Sequence, residues 1–296
     1  MPNTYATYQD FVRSGRYNIS DDTTGDERKS ILAYLEGSAR QVDHICGRHF
    51  GTFLQTRTFD GGGKVRLLVP DLIAITTLKT DPNRDRTFET TWATTDYYLG
   101  PNNADPQTEY NQESRPYTSI EVDVYSGAQD IFPAGRQTVE IVGKWGFWEH
   151  LIDPASGSGN AVNNTAGITA SATSIKVDTI LDFEVGMTVL IGTEQLFISD
   201  RDTGAASAIT VTRGVNGTTA AAIADDAAIL IYEYPEIVRE VCLREAGRAW
   251  RTKDATQTKQ QGQPRTGQVA VQGGFTKESI LDLYPLKRFA LGVIGG

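Results

Sequence analysis

The chain has 296 residues, 39% of them hydrophobic, and carries 28 basic against 37 acidic side chains. That length suits two domains of ordinary size, each with apolar material for a core of its own. A net charge of −9 argues against gripping nucleic acid by neutralising phosphates, but it suits a surface that DNA slides past without sticking.

The two cysteines, Cys46 and Cys242, have no Cys-x-x-Cys partner and read as buried small hydrophobes of a reducing compartment. The opening MPNTYATYQDFVRSGRY lacks the basic start and apolar middle of a signal peptide, and no apolar run reaches the length of a membrane span. A soluble protein made in a cytoplasm, without membrane contact, is expected.

A short helix is predicted over Tyr5–Ser14. Residues 26–50 read as one amphipathic helix, because Ile31, Leu35, Ala39, Val42, Cys46 and Phe50 recur at spacings of three and four. Asp26 and Glu27 suit its first turn and Gly47 its end. From residue 52 the pattern turns to strands. Thr52–Asp60 and Lys64–Val69 read as a hairpin closed by three glycines, followed by strands at Ile73–Thr80, Tyr97–Leu99, Ser119–Tyr125 and Gln137–Gly143. Clusters of Pro, Asn and Asp at 81–85 and 100–106 separate them.

Residues 153–173 are small, polar and poor in charge, which marks a linker. Five short segments follow, Ser174–Asp178, Met187–Gly192, Gln195–Ser199, Ala208–Thr212 and Ala227–Tyr232, spaced as in a small antiparallel barrel or sandwich. The helical period returns at PEIVREVCLREAGRAWR, 235–251, with Val238, Val241, Cys242, Ala246, Ala249 and Trp250 on one face. A polar, glycine-rich arm is expected over 252–275 and a last helix over Lys277–Tyr284.

The apolar face of residues 31–50 cannot be buried alone, and its natural partner is the helix at 235–251. The expected fold class is therefore α+β: a small helical-bundle host domain with a β region, plus an inserted all-β module. Residues 1–152 and 234–296 form the discontinuous host, and 153–233 the insert, placed where insertions are best tolerated. Charge follows this division. Residues 155–233 carry 3 basic and 9 acidic side chains, whereas 234–296 carry 10 basic and 6 acidic.

No catalytic constellation emerges. His44, His49 and His150 are scattered, and a spacing of five does not stack two ligands on a helix face. DPNRD at 81–85 begins like a calcium loop, but Arg86 stands where glycine belongs and Trp92 where glutamate belongs. GGGK at 61–64 lacks the spacing of a phosphate loop, and no nucleophile elbow or triad order can be assembled. Asp21-Asp22 and Asp225-Asp226 read as solvated turn carboxylates. No enzyme, cofactor or metal is expected. In KWGFWEHL, 144–151, the aromatic residues Trp145, Phe147 and Trp148 read either as a core plug or as an anchor at a subunit interface. VTRGVNGTTAAA, 211–222, reads as a strand and a positive-φ turn, exposed, with Arg213 and Asn216 available to a neighbouring protein. Asn18, Asn163 and Asn216 fit the glycosylation pattern, which a bacterial cytoplasm would not modify.

Taken in order, SARQVDHICGRHF, TRTFDGGGKVRLLVPDLIAITTLKTD, TTDYYLGP, FPAGRQTVEIVGKWGF and PEIVREVCLREAGRAWR resemble the tailed-phage head–tail connector (adaptor) proteins. The resemblance rests on Gly47-Arg48-His49-Phe50, Val69-Pro70, Asp96-Tyr97-Tyr98-Leu99 and Pro133-Ala134-Gly135-Arg136 through Gly146, with a looser match at Leu283–Arg288. It covers about 26–150 and 234–290, and residues 155–233 depart from the short connection usual in that family. It implies a structural virion protein, made in the bacterial host's cytoplasm, forming a homo-oligomeric ring, in that family usually of twelve copies. Such a ring sits between the portal protein and a stopper or tail-completion protein, and DNA passes through its channel without specific binding. Ile280, Leu281, Tyr284, Lys287 and Arg288 become candidates for docking on the portal. The other function class left open is a β-rich binding or decoration module of a phage particle, an adhesin or carbohydrate binder, with 155–233 as its working part.

Overall fold

A computed structural model describes residues 3–14, 25–109, 114–125, 127–154, 160–204, 207–252 and 274–288. The chain is mixed α+β, mostly strand, with two antiparallel sheets and few helices. It divides into two compact units. The first holds Met1–Arg48, Asp153–Val215 and Ala220–Gly296, and the second His49–Ile152 with Asn216–Thr219. This grouping differs from the expected one: the helices share a unit with residues 153–215, not with the β region of 49–152.

Side chains of the N-terminal segment explain that grouping. Helix α1, Tyr8–Arg13, is capped by Thr7, whose side chain accepts from the Asp10 N–H while Asp10 reaches back to the Thr7 N–H. Thr7 and Arg13 both donate to Glu184 at 2.5 Å, Gln9 accepts from the Val185 N–H, and Thr4 donates to the Gly186 carbonyl. Residues 4–13 are thus stapled to the loop at 184–186.

Helix α2, Gly25–Cys46, buries Ile31, Leu35, Ala39, Val42 and Cys46 on one face, as their spacing requires. It ends before Gly47, at φ +65°. Its partner is α3, Glu236–Thr252, which buries Val238, Val241, Cys242, Ala246 and Trp250. The Trp250 ring meets Tyr34 of α2 and Phe11 of α1 edge-on, at 6.0 and 6.3 Å.

Unit two is built on one sheet. Its strands are β1 Phe53–Gly61, β2 Arg66–Thr80, β3 Thr90–Thr91, β4 Tyr97–Gly100, β5 Tyr117–Val122 and β6 Gly135–Trp145; the short β7, His150–Ile152, is not part of this sheet. The first six pair in the order β1-β6-β2-β5-β4, with β3 on β2. The expected hairpin between residues 52–60 and 64–69 is absent, because β6 lies between β1 and β2 and pairs with both. The two strands expected at 64–69 and 73–80 are one fifteen-residue strand. Pro70 does not break it, because it falls where the register on β5 shifts, between Leu68 and Leu72, and needs no ladder donor. Trp92 stacks on Phe132 at 4.8 Å within a core that includes Leu72, Ile120, Ile141 and Trp145.

The second sheet belongs to unit one. Strands β8 Ser174–Lys176, β9 Thr188–Ile191, β10 Glu194–Asp202, β11 Ala208–Thr212 and β12 Ile229–Glu233 lie in the order β12-β9-β10-β11-β8. Residues 160–173 are no linker. Val162 pairs with Val177 beyond β8 and Ala161 with Ala228 before β12, which draws the two sides of the sheet together. Asn160 is buried and donates to the Thr179 carbonyl and to Asp182.

Of the arm expected at 252–275, residues 253–273 lie outside the described residues, as do Asn18, Asp21 and Asp22. The last helix, α4 Lys277–Asp282, is shorter than expected because the chain tightens into a 3₁₀ turn at Tyr284–Leu286.

Candidate functional site

The five residues expected at a docking surface lie on α4 and the turn after it. Thr276 caps α4 by accepting from the Ser279 N–H, and Glu245 of α3 accepts from both the Thr276 N–H and its hydroxyl. Arg244 reaches Asp282 at 2.7 Å, and the Arg288 N–H donates to the Cys46 carbonyl at 2.7 Å. Hydrogen bonds to Ser279 and Thr276 outweigh the upward push of burial on the Glu245 carboxyl, so it is held below the usual carboxylate range. On this fixed base Leu281 is 59% and Tyr284 55% exposed, while Ile280 is half-buried. Lys287 is half-buried and Arg288 exposed beside them. The five residues therefore present an apolar pair with a basic margin, held in place by α3 and the end of α2.

The aromatic run of 144–151 is placed otherwise. Trp145, Phe147 and Trp148 are buried within unit two, so they are core residues and not an exposed subunit anchor. The Trp145 N–H donates to the Gln55 carbonyl at 2.9 Å, with the Arg57 guanidinium over its ring at 4.4 Å. Trp148 donates to the Thr108 carbonyl at 2.7 Å, and Phe147 meets Phe50 at 5.4 Å. Each polar edge finds a partner on its own chain, which is what lets a tryptophan be buried.

The side chain of Arg213 and the whole of Asn216 are buried too, which corrects their expected exposure. Arg213 forms a two-pronged ion pair with Glu194 at 2.7 Å and donates further to the carbonyls of Thr169, Ala172 and Ala221. Burial pushes the Glu194 carboxyl up, but bonds from Arg213 and from the N–H groups of Ala221 and Gly214 outweigh it and hold it below the usual range. Asn216 adopts φ +56°, and at Gly217, φ +85°, a Cβ would collide with the Leu54 carbonyl oxygen. The stretch is a structural knot, not a docking loop.

The remaining chemistry is structural in the same way. Asp81, Asp85 and Glu89 bring carboxylate oxygens within 4.8 Å of one another, the closest approach to a metal site among the described residues. Asp81 is committed to its own loop, accepting from the N–H groups of Arg84, Asp85 and Arg86. The histidines stay apart in role: His44 is exposed on α2, His49 packs on Phe53 at 5.2 Å, and His150 stacks on Trp148. Burial pushes the Cys46 thiol up to about 11 and Cys242 well above the usual value, so neither is a thiolate at neutral pH. Among the described residues no helix is long and apolar enough to cross a membrane.

One surface escaped the sequence reading. Val65, Leu68, Tyr98, Val124, Tyr125 and Ile131 are exposed around one end of the unit-two sheet. Alternation along β2 and β5 predicts polar residues on a solvent face, and the signal available was their replacement by Leu68 and by Tyr125 in a turn.

Comparison with protein-family models, with curated proteins and with solved structures finds no match to this chain.

Proposed function

We propose that the chain is a structural protein of a tailed-phage particle, forming a homo-oligomeric ring between the portal and a stopper or tail-completion protein. In this reading α1–α4 form the small helical bundle of a connector, the sheet of β8–β12 is its inserted β module, and the ring extends the DNA channel at the head–tail interface. The observation that carries it is the exposed Leu281–Tyr284 pair with its basic margin. The two large apolar side chains stand side by side on a short, braced element, a small fixed patch of the kind a partner can cover. The positive margin stands on a chain of net charge −9, which favours an acidic partner rim. Buried ion pairs and buried tryptophans that serve the fold leave the surface, and not a cleft, as the place of function.

Electron microscopy of particles from a phage that encodes this chain tests the reading. A closed ring below the portal is expected, and L281S/Y284S should leave filled heads without that ring while melting unchanged. Finding the protein only at the tail tip, or only outside particles, would sink it.

A further inference from the structure

We propose that the exposed apolar end of the unit-two sheet is one side of the contact between copies of this chain, set against a different face of the next copy as a closed ring requires; the inference rests on the ring reading and names its subunit contact. Six of the nine exposed large apolar side chains among the described residues gather there. Strand register places them together. Arg66, Glu121 and Tyr98 lie abreast on β2, β5 and β4, with Leu68 two residues along from Arg66. The Val65 carbonyl accepts from the Val122 N–H at the end of β5, and the Lys64 carbonyl accepts from the Phe132 N–H, which brings Ile131 alongside. Asp123 ties two of them to one carboxylate, accepting from the Tyr98 hydroxyl at 2.9 Å and from the Tyr125 N–H at 3.0 Å. Tyr125, 98% exposed, therefore stands on an anchored turn.

Area and charge both point to a second copy as the occupant. The six side chains expose roughly 700 Å², close to the ~800 Å² that each partner contributes to a standard protein–protein interface. Tyrosine and arginine are the residues enriched at such contacts, and Arg66, held by Glu121 at 3.2 Å, lies in the middle of the patch. Two chains that each carry −9 repel, so they can meet only where local charge balances. Within and beside the patch Lys64 and Arg66 stand against Glu121 and Asp130, all exposed. A nucleic acid or a strongly basic partner would find no surplus of the opposite charge here.

The test is Y125S/L68S, compared with wild type and with L281S/Y284S, by analytical ultracentrifugation and native mass spectrometry. Wild type and L281S/Y284S should assemble, whereas Y125S/L68S should associate at least ~30-fold more weakly, the scale of losing a central hot spot. Its melting curve and near-ultraviolet circular dichroism should stay those of wild type apart from the lost tyrosine. Assembly that survives Y125S/L68S would overturn this contact and leave the ring standing. A wild-type dimer abolished by Y125S/L68S would support the contact and overturn the ring. A wild-type chain monomeric up to about 100 µM, well above the micromolar range of stable contacts, would overturn both.

Discussion

Replacing Arg213 by methionine should lower the melting temperature of the first unit by roughly 6–12 °C. R213M removes five hydrogen bonds, two to Glu194 and three to backbone carbonyls. The partners are only 7% and 1% exposed, so water screens little of the loss. Breaking a buried pair by deleting one member costs about 3–5 kcal/mol, because the other charge stays behind dehydrated. Glu194 keeps the N–H groups of Gly214 and Ala221, which places the expectation near the lower end, about 3 kcal/mol. At about 2–4 °C per kcal/mol for a unit of this size, the stated range follows. The double variant E194M/R213M should recover at least half of the loss, since an apolar pair leaves no orphan charge. Acid provides a second readout. The Glu194 carboxyl is depressed in the folded chain, so its stabilisation is present above the ordinary value of 4.5 and lost as pH falls through the folded value. R213M should therefore lose less stability than wild type below pH 4.5. Scanning calorimetry of the three proteins at pH 7 and pH 4 measures all of this. R213M melting within 2 °C of wild type, or a double variant less stable than R213M, would refute the reasoning.

Two further outcomes follow from the packing. G217A should cost about 2 kcal/mol or more, because alanine is strained at φ +85° and its methyl collides with the Leu54 carbonyl; urea denaturation reads it, and an unchanged midpoint would contradict the geometry. In alkali, burial pushes the Tyr5 phenol well above its ordinary value and that of Tyr234 up to about 12, so the contribution of both is whole below pH 10, and that of Tyr234 is lost as pH rises toward 12. Y234F should flatten the alkaline fall of unfolding free energy by up to about 1.4 kcal/mol per pH unit.

The helices were legible because their apolar period is local: Ile31 to Cys46 and Val238 to Trp250 each mark a face within one segment. The strands of 174–233 were legible too, since glycine turns punctuate them. What could not be read was pairing at a distance. Three glycines after Asp60 look like a hairpin turn, and nothing near them announces that β6, more than seventy residues on, occupies the space between β1 and β2. Asn160 to Ile168 read as a linker because small polar residues also serve as bridging segments, and only Val177 and Ala228 reveal the difference. At the sites, Ile280, Leu281 and Tyr284 stand out in the sequence as apolar residues ending a polar arm, but which of them is exposed is not displayed there: Leu281 and Tyr284 are, and Ile280 is half-buried. Arg213 was misplaced because its partner Glu194 is nineteen residues away and its remaining bonds go to carbonyls, which a sequence does not display.

The strand order of unit two also dictates when that unit can begin to exist on a ribosome. Residue 53 pairs with residue 145, and β2 shares the same late partner along much of its length. Until β6 has emerged, β1 has no strand to pair with and β2 lacks one of its neighbours, so long unpaired backbone waits in water through the synthesis of some ninety residues. Such a sheet nucleates late and slowly. A chain cut short before residue 135 would carry two long strands with open edges and the apolar side chains of half a core, a far stickier object than the finished protein.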